Sequence, residues 1–384
     1  MLDSFREAKQ KIDEASFSHL DNVIQKVVDS ASTFGVEMVN TSTTIDFKDL
    51  YLKDGKICLH DKLIPFRQKG KGTKRLISIA IQTELSKQGG ILLIDEIEQG
   101  LEPDRAQHLA QILKKENKGQ VFITTHSSNV LVELESKNLY RVKNDKTSLY
   151  QFNDKLQGCL RNNPAAFFAK KILVCEGATE VGICRSINQH RISEGKASFS
   201  LLGIAIVDGS GSNFIKYCED FNKAEIETCA FCDSDYDPIN LKKISLTQLG
   251  ITIIDCEKDN AIENQLFKDL EWKYIIELIE YRRQDTSADS ITQLIANQFD
   301  GDLTPTWDTI EIEGIRNAIA KASTLKVTKT KQDNTKVIED KSWFKRLDHG
   351  MFLGKIICKH VESNSNPESR IIKQYNDLTC WINK

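Results

Sequence analysis

Three apolar runs in this chain end abruptly in acids, and each leads into a helical pattern. They are ILLIDE at 91–96, KILVCE at 171–176 and CAFCD at 229–233. Short apolar runs of this kind read as strands buried on both faces, and strand–helix–strand alternation implies parallel pairing. The expected fold class is therefore α/β, with carboxylates collected at the C-terminal ends of parallel strands. That edge is where an open α/β sheet places its ligands.

At 384 residues the chain is long enough for two or three domains. The spacing predicts a helical segment over 1–40, a first α/β unit over 41–152, a connector over 153–169, a second α/β core over 170–270 and a mostly helical region over 271–384. In the first unit, 74–86 and 103–115 read as helices, and Lys53-Asp54-Gly55-Lys56 as a turn between short strands. In the second, strands near 202–207 and 251–256 flank helices near 179–189 and 213–222. The pair Cys229 and Cys232 has C-x-x-C spacing, but with no second pair or nearby His it reads as two small buried strand residues.

Composition narrows the function classes. A formal charge of −3 argues against a generally basic surface, so nucleic-acid binding would need a local patch or a bound metal. The start, MLDSFREAKQKIDEAS, has no apolar core and is not a secretory signal. No apolar run approaches the ~20 residues of a membrane span. Ten cysteines without secretory features point to reduced thiols in the cytoplasm.

Four pieces of the first unit stand in a set order: QKGKGTKRLISIA (68–80), ILLIDE (91–96), QGLEPDR (99–105) and ITTHSS (123–128). Backbone N–H groups at Gly70 and Gly72, opening a helix, can hold a phosphate. Asp95 can hold magnesium, Glu96 can polarise an attacking water, and His126 can contact a γ-phosphate. Singly, each has a structural explanation; the order of all four is what carries the reading. The usual other half of such a site, G-x-x-x-x-G-K-[ST], occurs nowhere in the chain.

The second unit carries more acids. KKILVCEGATE (170–180) ends a strand in Glu176 and puts Glu180 in the first turn of the next helix. CAFCDSDYD (229–237) offers Asp233 and Asp235, which point the same way in extended chain. ITIIDCEKDNAIENQLF (251–267) adds Asp255, Glu257, Asp259 and Glu263. Hard oxygen donors of this kind suit Mg²⁺ or Mn²⁺, and two such ions can hydrolyse a phosphodiester.

The first set resembles the C-terminal half of an ABC/RecF-like ATPase head, in the order signature loop, Walker B, D-loop and switch His. The second resembles a Toprim domain, and NNPAAFFAKKILVCEGATE, GIAIVDGSGSNFIKY, NAIENQLF and HGMFLGKIICKH (349–360) are similar to segments of the OLD (overcoming lysogenization defect) family nucleases. The resemblance covers nearly the whole chain, most specifically 68–128 and 164–267. It implies that Gly70 and Gly72 belong to the signature, Asp95 and Glu96 to Walker B, and His126 to the switch. It implies that Glu176, Glu180, Asp233, Asp235 and Glu263 hold metal and that Lys355 stabilises charge at the scissile phosphate. Asp255 and Glu257 are second choices, Asp259 is a supporting residue, and Ser234 a hydrogen-bonding one. The implied function is a metal-dependent DNA endonuclease or nickase. OLD-family nucleases, Gabija among them, act in anti-phage defence. ATP is expected only with a complementing Walker A half. Expected partners are DNA, a second copy joined through the N-terminal helical segment, and a Walker A-containing subunit or a helicase. The alternatives are a non-catalytic half-ATPase scaffold or a Toprim RNase. The Lys-rich stretch 321–346, with eight basic and three acidic side chains and with Trp343 and Phe344, is a candidate for backbone phosphate contact or a solvated helical or loop surface.

Overall fold

The computed structural model describes residues 7, 10–11, 20–46, 56–62, 64–86, 89–116, 119–285, 288–330, 336–340, 342–363 and 366–384. The chain is α/β and divides into two compact units, 1–139 and 140–384. Most of the expected N-terminal helix before residue 20, and the turn at 53–55, lie outside the described residues.

The first unit contains α1 (Asp21–Thr33), β1 (Thr41–Asp46), β2 (Lys56–Asp61), β3 (Ile64–Pro65), α2 (Lys71–Ser86), β4 (Ile91–Ile94), α3 (Pro103–Glu116), β5 (Gln120–Ile123) and α4 (Ser128–Leu131). Strands β1 to β3 form an antiparallel sheet, and β4 pairs with β5 in parallel, Ile94 opposite Ile123. Pro103 opens α3, where its missing N–H leaves no bond unmade. The core joins Val27 and Ala31 of α1 to Leu76, Ile77 and Ala80 of α2, Leu92 and Ile94 of β4, and Leu109 of α3. Burial alternates along β4, so its other face is bare: Ile91 is 62% exposed, Leu93 70%, and Phe122 of β5 57%.

The second unit opens with the hairpin β6 (Tyr140–Val142) and β7 (Leu149–Gln151), then α5 (Gln157–Asn162). The unit boundary therefore precedes the hairpin, and the expected connector over 153–169 is packed structure. Leu156 and Leu160 are fully buried, and Phe152, Phe167 and Phe221 meet edge to face. Next come β8 (Lys171–Cys175), α6 (Ala178–Ser193), β9 (Ile204–Asp208), α7 (Phe214–Lys223), β10 (Glu227–Cys232), α8 (Asp237–Gln248), β11 (Thr252–Asp255), α9 (Ile262–Asp269), α10 (Trp272–Asp285), α11 (Ala288–Ala296) and α12 (Ile315–Ser323). The hairpin β12 (Lys326–Thr330) and β13 (Lys336–Asp340), then α13 (Leu347–Ser363) and α14 (Arg370–Asn383), complete it.

The four central strands are all parallel, in the order β11-β10-β8-β9. Leu173, Cys175, Cys229, Phe231 and Ile254 face a core built with α6, α9, α13 and α14. Cys229 and Cys232 are buried strand residues whose thiols burial pushes well up, as small apolar residues would be expected to behave.

Two expectations for 321–346 need correcting. KVTKT and KVIED are rich in β-branched residues and pair as an antiparallel ribbon rather than forming a helix or loop surface. Trp343 and Phe344 are 2% and 0% exposed, so they are core anchors and not nucleic-acid contacts. Among the described residues no helix is long and apolar enough to cross a membrane.

Candidate functional site

In the first unit, the paired ends of β4 and β5 bring Asp95, Glu96 and His126 to one edge. Thr124 Oγ1 donates to Asp95 Oδ1 at 2.5 Å and accepts from Glu96 N at 2.8 Å. Arg75 of α2 donates to the carbonyls of Asp95 and Glu96, tying the Gly-rich helix start to the strand end. A side chain at Gly72 would stand 2.8 Å from the Gly100 carbonyl, so the helix start and the loop after β4 touch backbone to backbone. A Cβ at Gly70 would meet nothing within 4 Å. Sequence reasoning missed Glu98. It accepts from Thr125 Oγ1 at 2.7 Å and from the His126 backbone N–H at 2.6 Å, fixing where His126 leaves β5. Burial pushes its carboxyl up, but these two bonds win and hold it below its ordinary value.

In the second unit the strand register is flush at its C-terminal edge. Cys175 lies opposite Phe231 and Asp208, and Cys232 opposite Asp255. The residues that follow, Glu176 and Asp233, therefore leave neighbouring strands side by side. Asp233 N donates to Glu176 Oε2 at 3.0 Å. Glu180, at the third position of α6, reaches back to Gly177 N at 2.9 Å, half of a capping box. Asp233 Oδ1 accepts from Ile262 N at 2.9 Å, which brings the start of α9, and with it Glu263, to the same place. Glu180 and Glu263 are 6% and 2% exposed. Asp235 is exposed, yet its charge acts on both Glu176 and Asp233.

The carboxyls feel one another. Burial, then the charges of Glu263 and Glu176, push Glu180 up to about 7. Burial, then Glu180 and Glu263, raise Asp233 well above the carboxylate range. Burial, then Asp235, raise Glu176, against a lowering by the Asp233 N–H bond and by Lys243 and Lys345. Buried carboxylates this close cannot all ionise cheaply unless a cation joins them.

Among the described residues no three His, Cys, Asp or Glu side chains already stand as a coordination shell. The hydrogen bonds explain this in part, since Glu176, Glu180 and Asp233 each have one oxygen held by a backbone N–H. The donor set nevertheless fits a hard divalent cation: all oxygen, charge-rich and desolvated.

The second choices are placed elsewhere. Asp255 is held by Arg370 and by Lys243 Nζ at 2.9 Å, so its charge is already compensated. Glu257 pairs with Lys268 at 2.5 Å and is exposed. Asp259 acts through its backbone, donating to Ser234 O at 3.0 Å. Ser234 Oγ donates to Cys256 O at 2.8 Å, a structural bond. Lys355 is an exposed residue of α13. Beside it, Gly354 meets Ile183 and Ser186 of α6, one to two turns beyond Glu180. Two lysines have charges that reach Glu176: Lys243, and Lys345, which is next to Phe344, whose carbonyl accepts from Thr179 Oγ1. Only long-range packing reveals them.

The raised carboxyls predict an inverted pH dependence of stability in chelator. An acid whose folded value lies above its ordinary one stabilises the fold fully below the ordinary value and loses that contribution as pH rises. For Glu180 the window runs from 4.5 to about 7. The expected loss is on the order of 3 kcal/mol. Thermal midpoints in chelator at pH 5 and pH 8 test this. The midpoint should fall at pH 8, and Glu180→Gln should flatten the fall. An unchanged midpoint in the wild type would show that the acids are not mutually strained.

A family model described as an AAA domain, putative AbiEii toxin, Type IV TA system, matches residues 59–133. A second, described as an Overcoming lysogenization defect protein-like TOPRIM domain, matches 167–235. No curated protein matches the chain. A solved structure from work on the ATP-driven dimerization and DNA stimulated activation of SMC ATPases aligns with 38% of this chain and 96% of that chain. The two are 10% identical, with a TM-score of 0.28. The two matches fall one in each unit, so the chain carries a segment similar to an AAA domain followed by one similar to an OLD-like TOPRIM domain.

Proposed function

We propose that the TOPRIM unit is a divalent-metal-dependent DNA endonuclease or nickase. The observation that supports this reading is the convergence of Glu176, Glu180, Asp233 and Glu263 at one sheet edge, with Glu180 and Glu263 buried and with burial and neighbouring acids raising Glu176, Glu180 and Asp233. In this reading these four and Asp235 hold Mg²⁺ or Mn²⁺. When bound, such ions polarise a phosphodiester and lower the pKa of water.

The chain's own residues do the positioning. The backbone N–H groups of Asp233, Gly177 and Ile262 each fix one carboxylate oxygen and so set the direction of the others. Lys345, whose charge reaches Glu176, takes the role expected of Lys355, stabilising charge on the scissile phosphate. The proposal extends to a place in anti-phage defence, which the domain pairing supports.

The ATPase segment supports a second, compatible reading. Ile91, Leu93 and Phe122 leave one face of a parallel strand pair bare, and parallel pairs are ordinarily covered on both faces. A complementing half that carries a Walker A loop would cover this face and complete the ATP site of Asp95, Glu96 and His126.

Supercoiled plasmid tests the nuclease reading. Nicked or linear product is expected in Mg²⁺ or Mn²⁺ and none in chelator. Equal cutting in chelator would remove the metal from the mechanism, and cutting of RNA but not DNA would change the substrate class.

A further inference from the structure

We propose that Lys243 is a positioning residue that holds the Asp233-Ser234-Asp235 segment in its cation-binding conformation; the inference rests on the metal-dependent reading above. Lys243 belongs to α8, the helix that begins just after this segment. Its side chain is only 14% exposed. The ammonium donates to the Asp233 carbonyl at 3.1 Å and to Ser234 Oγ at 2.8 Å, and pairs with Asp255 Oδ2 at 2.9 Å. An ammonium has three donors and no acceptor. All three are committed, two to the segment itself and one to the end of the next strand. Lys243 therefore has no donor left for substrate, and it acts through the residues it holds.

The surrounding bonds show what is being held. Ser234 N donates to Asn260 O at 2.9 Å, and Ser234 O accepts from Asp259 N at 3.0 Å and from Asn240 Nδ2 at 2.8 Å. These bonds join the segment to the loop that delivers Ile262 N to Asp233. Arg370 of α14 holds the far side of Asp255 through its carboxylate and, at 2.8 Å, its carbonyl. Lys243 thus links Asp233, which faces the other acids, to an anchored strand end. A lysine that only balanced charge would need the contact with Asp255 alone; the bonds to a backbone carbonyl and a hydroxyl fix direction as well. Residues that orient metal-binding side chains typically change affinity by ~10–100-fold when removed.

The test is calorimetric titration of the full chain with Mn²⁺, in wild type, Lys243→Met, Lys243→Arg and Ser234→Ala, with thermal midpoints measured alongside. Lys243→Met should weaken Mn²⁺ binding by at least ~10-fold. Lys243→Arg should recover part of the loss, and Ser234→Ala, which removes one of the three bonds and keeps the ion pair, should weaken binding less. A folded Lys243→Met that binds Mn²⁺ like the wild type, even with a lower midpoint, would overturn the proposal and leave the nuclease reading standing. If Lys243→Met does not fold, wild-type affinity in Ser234→Ala overturns it instead. A wild type that binds no Mn²⁺ would remove the metal-dependent reading itself, and this inference with it.

Discussion

Asp233→Asn is expected to abolish plasmid cleavage at every Mg²⁺ or Mn²⁺ concentration while leaving the protein folded. Asp233 is the hub of the acid cluster. Its backbone N–H bonds Glu176, its carboxylate accepts from Ile262 N, and its charge acts together with those of Glu180 and Glu263. Asn keeps the side-chain oxygen that Ile262 needs and removes the charge. Since residues one layer out already change affinity or activity by ~10–100-fold, loss of the metal contact proposed for Asp233 should cost at least ~100-fold. Without a cation, removing one of several repelling buried charges should also raise the thermal midpoint in chelator. A stable variant that cannot cut separates chemistry from folding. Wild-type cutting by Asp233→Asn would place the active site elsewhere.

Gly350→Ala is expected to have the largest effect on stability. Helices α6 and α13 meet backbone to backbone through Gly182, Gly350 and Gly354. A Cβ at Gly350 would lie 2.1 Å from the Thr179 carbonyl, and one at Gly182 2.3 Å from the Leu347 carbonyl. Both obstacles are main chain, which cannot swing aside as a flexible side chain would, so the helices must separate. Overpacking of this kind costs ~3 kcal/mol or more. For a unit of this size that is a fall of roughly 6–12 °C in midpoint. Thr179 precedes Glu180, so the displacement should also disturb the acids and weaken cleavage in whatever fraction stays folded. A midpoint within about 2 °C of the wild type would mean that the helix seam is looser than this geometry requires.

The acids were legible in the sequence because their placement is local. Glu176 and Asp233 directly follow apolar strands, and Glu180 and Glu263 fall in first helical turns. The adjacency of β8 and β10 was legible only as a parallel-sheet expectation, and the flush register that brings Glu176 to Asp233 comes from pairing between distant segments. Residues whose surroundings depend on such pairing are less legible. Asp255 reads like the other acids, but Lys243 and Arg370 neutralise it, and Arg370 is 115 residues away in sequence. Lys355 sits in a segment with a familiar look, but there the helix faces α6 through its glycines and turns Lys355 outward. Lys345 lay inside the Lys-rich stretch 321–346, and nothing local set it apart from the other lysines there. Residues 153–169 read as a connector because Asn162-Asn163-Pro164 breaks the pattern, while the aromatic contacts that pack it reach as far as Phe221. In the first unit order along the chain was enough to put the Gly-rich stretch at a helix start and Asp95, Glu96 and His126 just beyond strand ends, whereas nothing in the sequence set Glu98, which bonds the residues around His126, apart from the acids near it.

The most direct test of the central claim, that the acids of the second unit form one divalent-cation site, is a calorimetric titration of the metal-free chain with Mn²⁺ near pH 8, beside Glu180→Gln and Asp233→Asn. Saturable binding by the wild type, lost or weakened at least ~100-fold in both variants, is the expected result. Binding of equal strength in all three proteins, or none in the wild type, would contradict it.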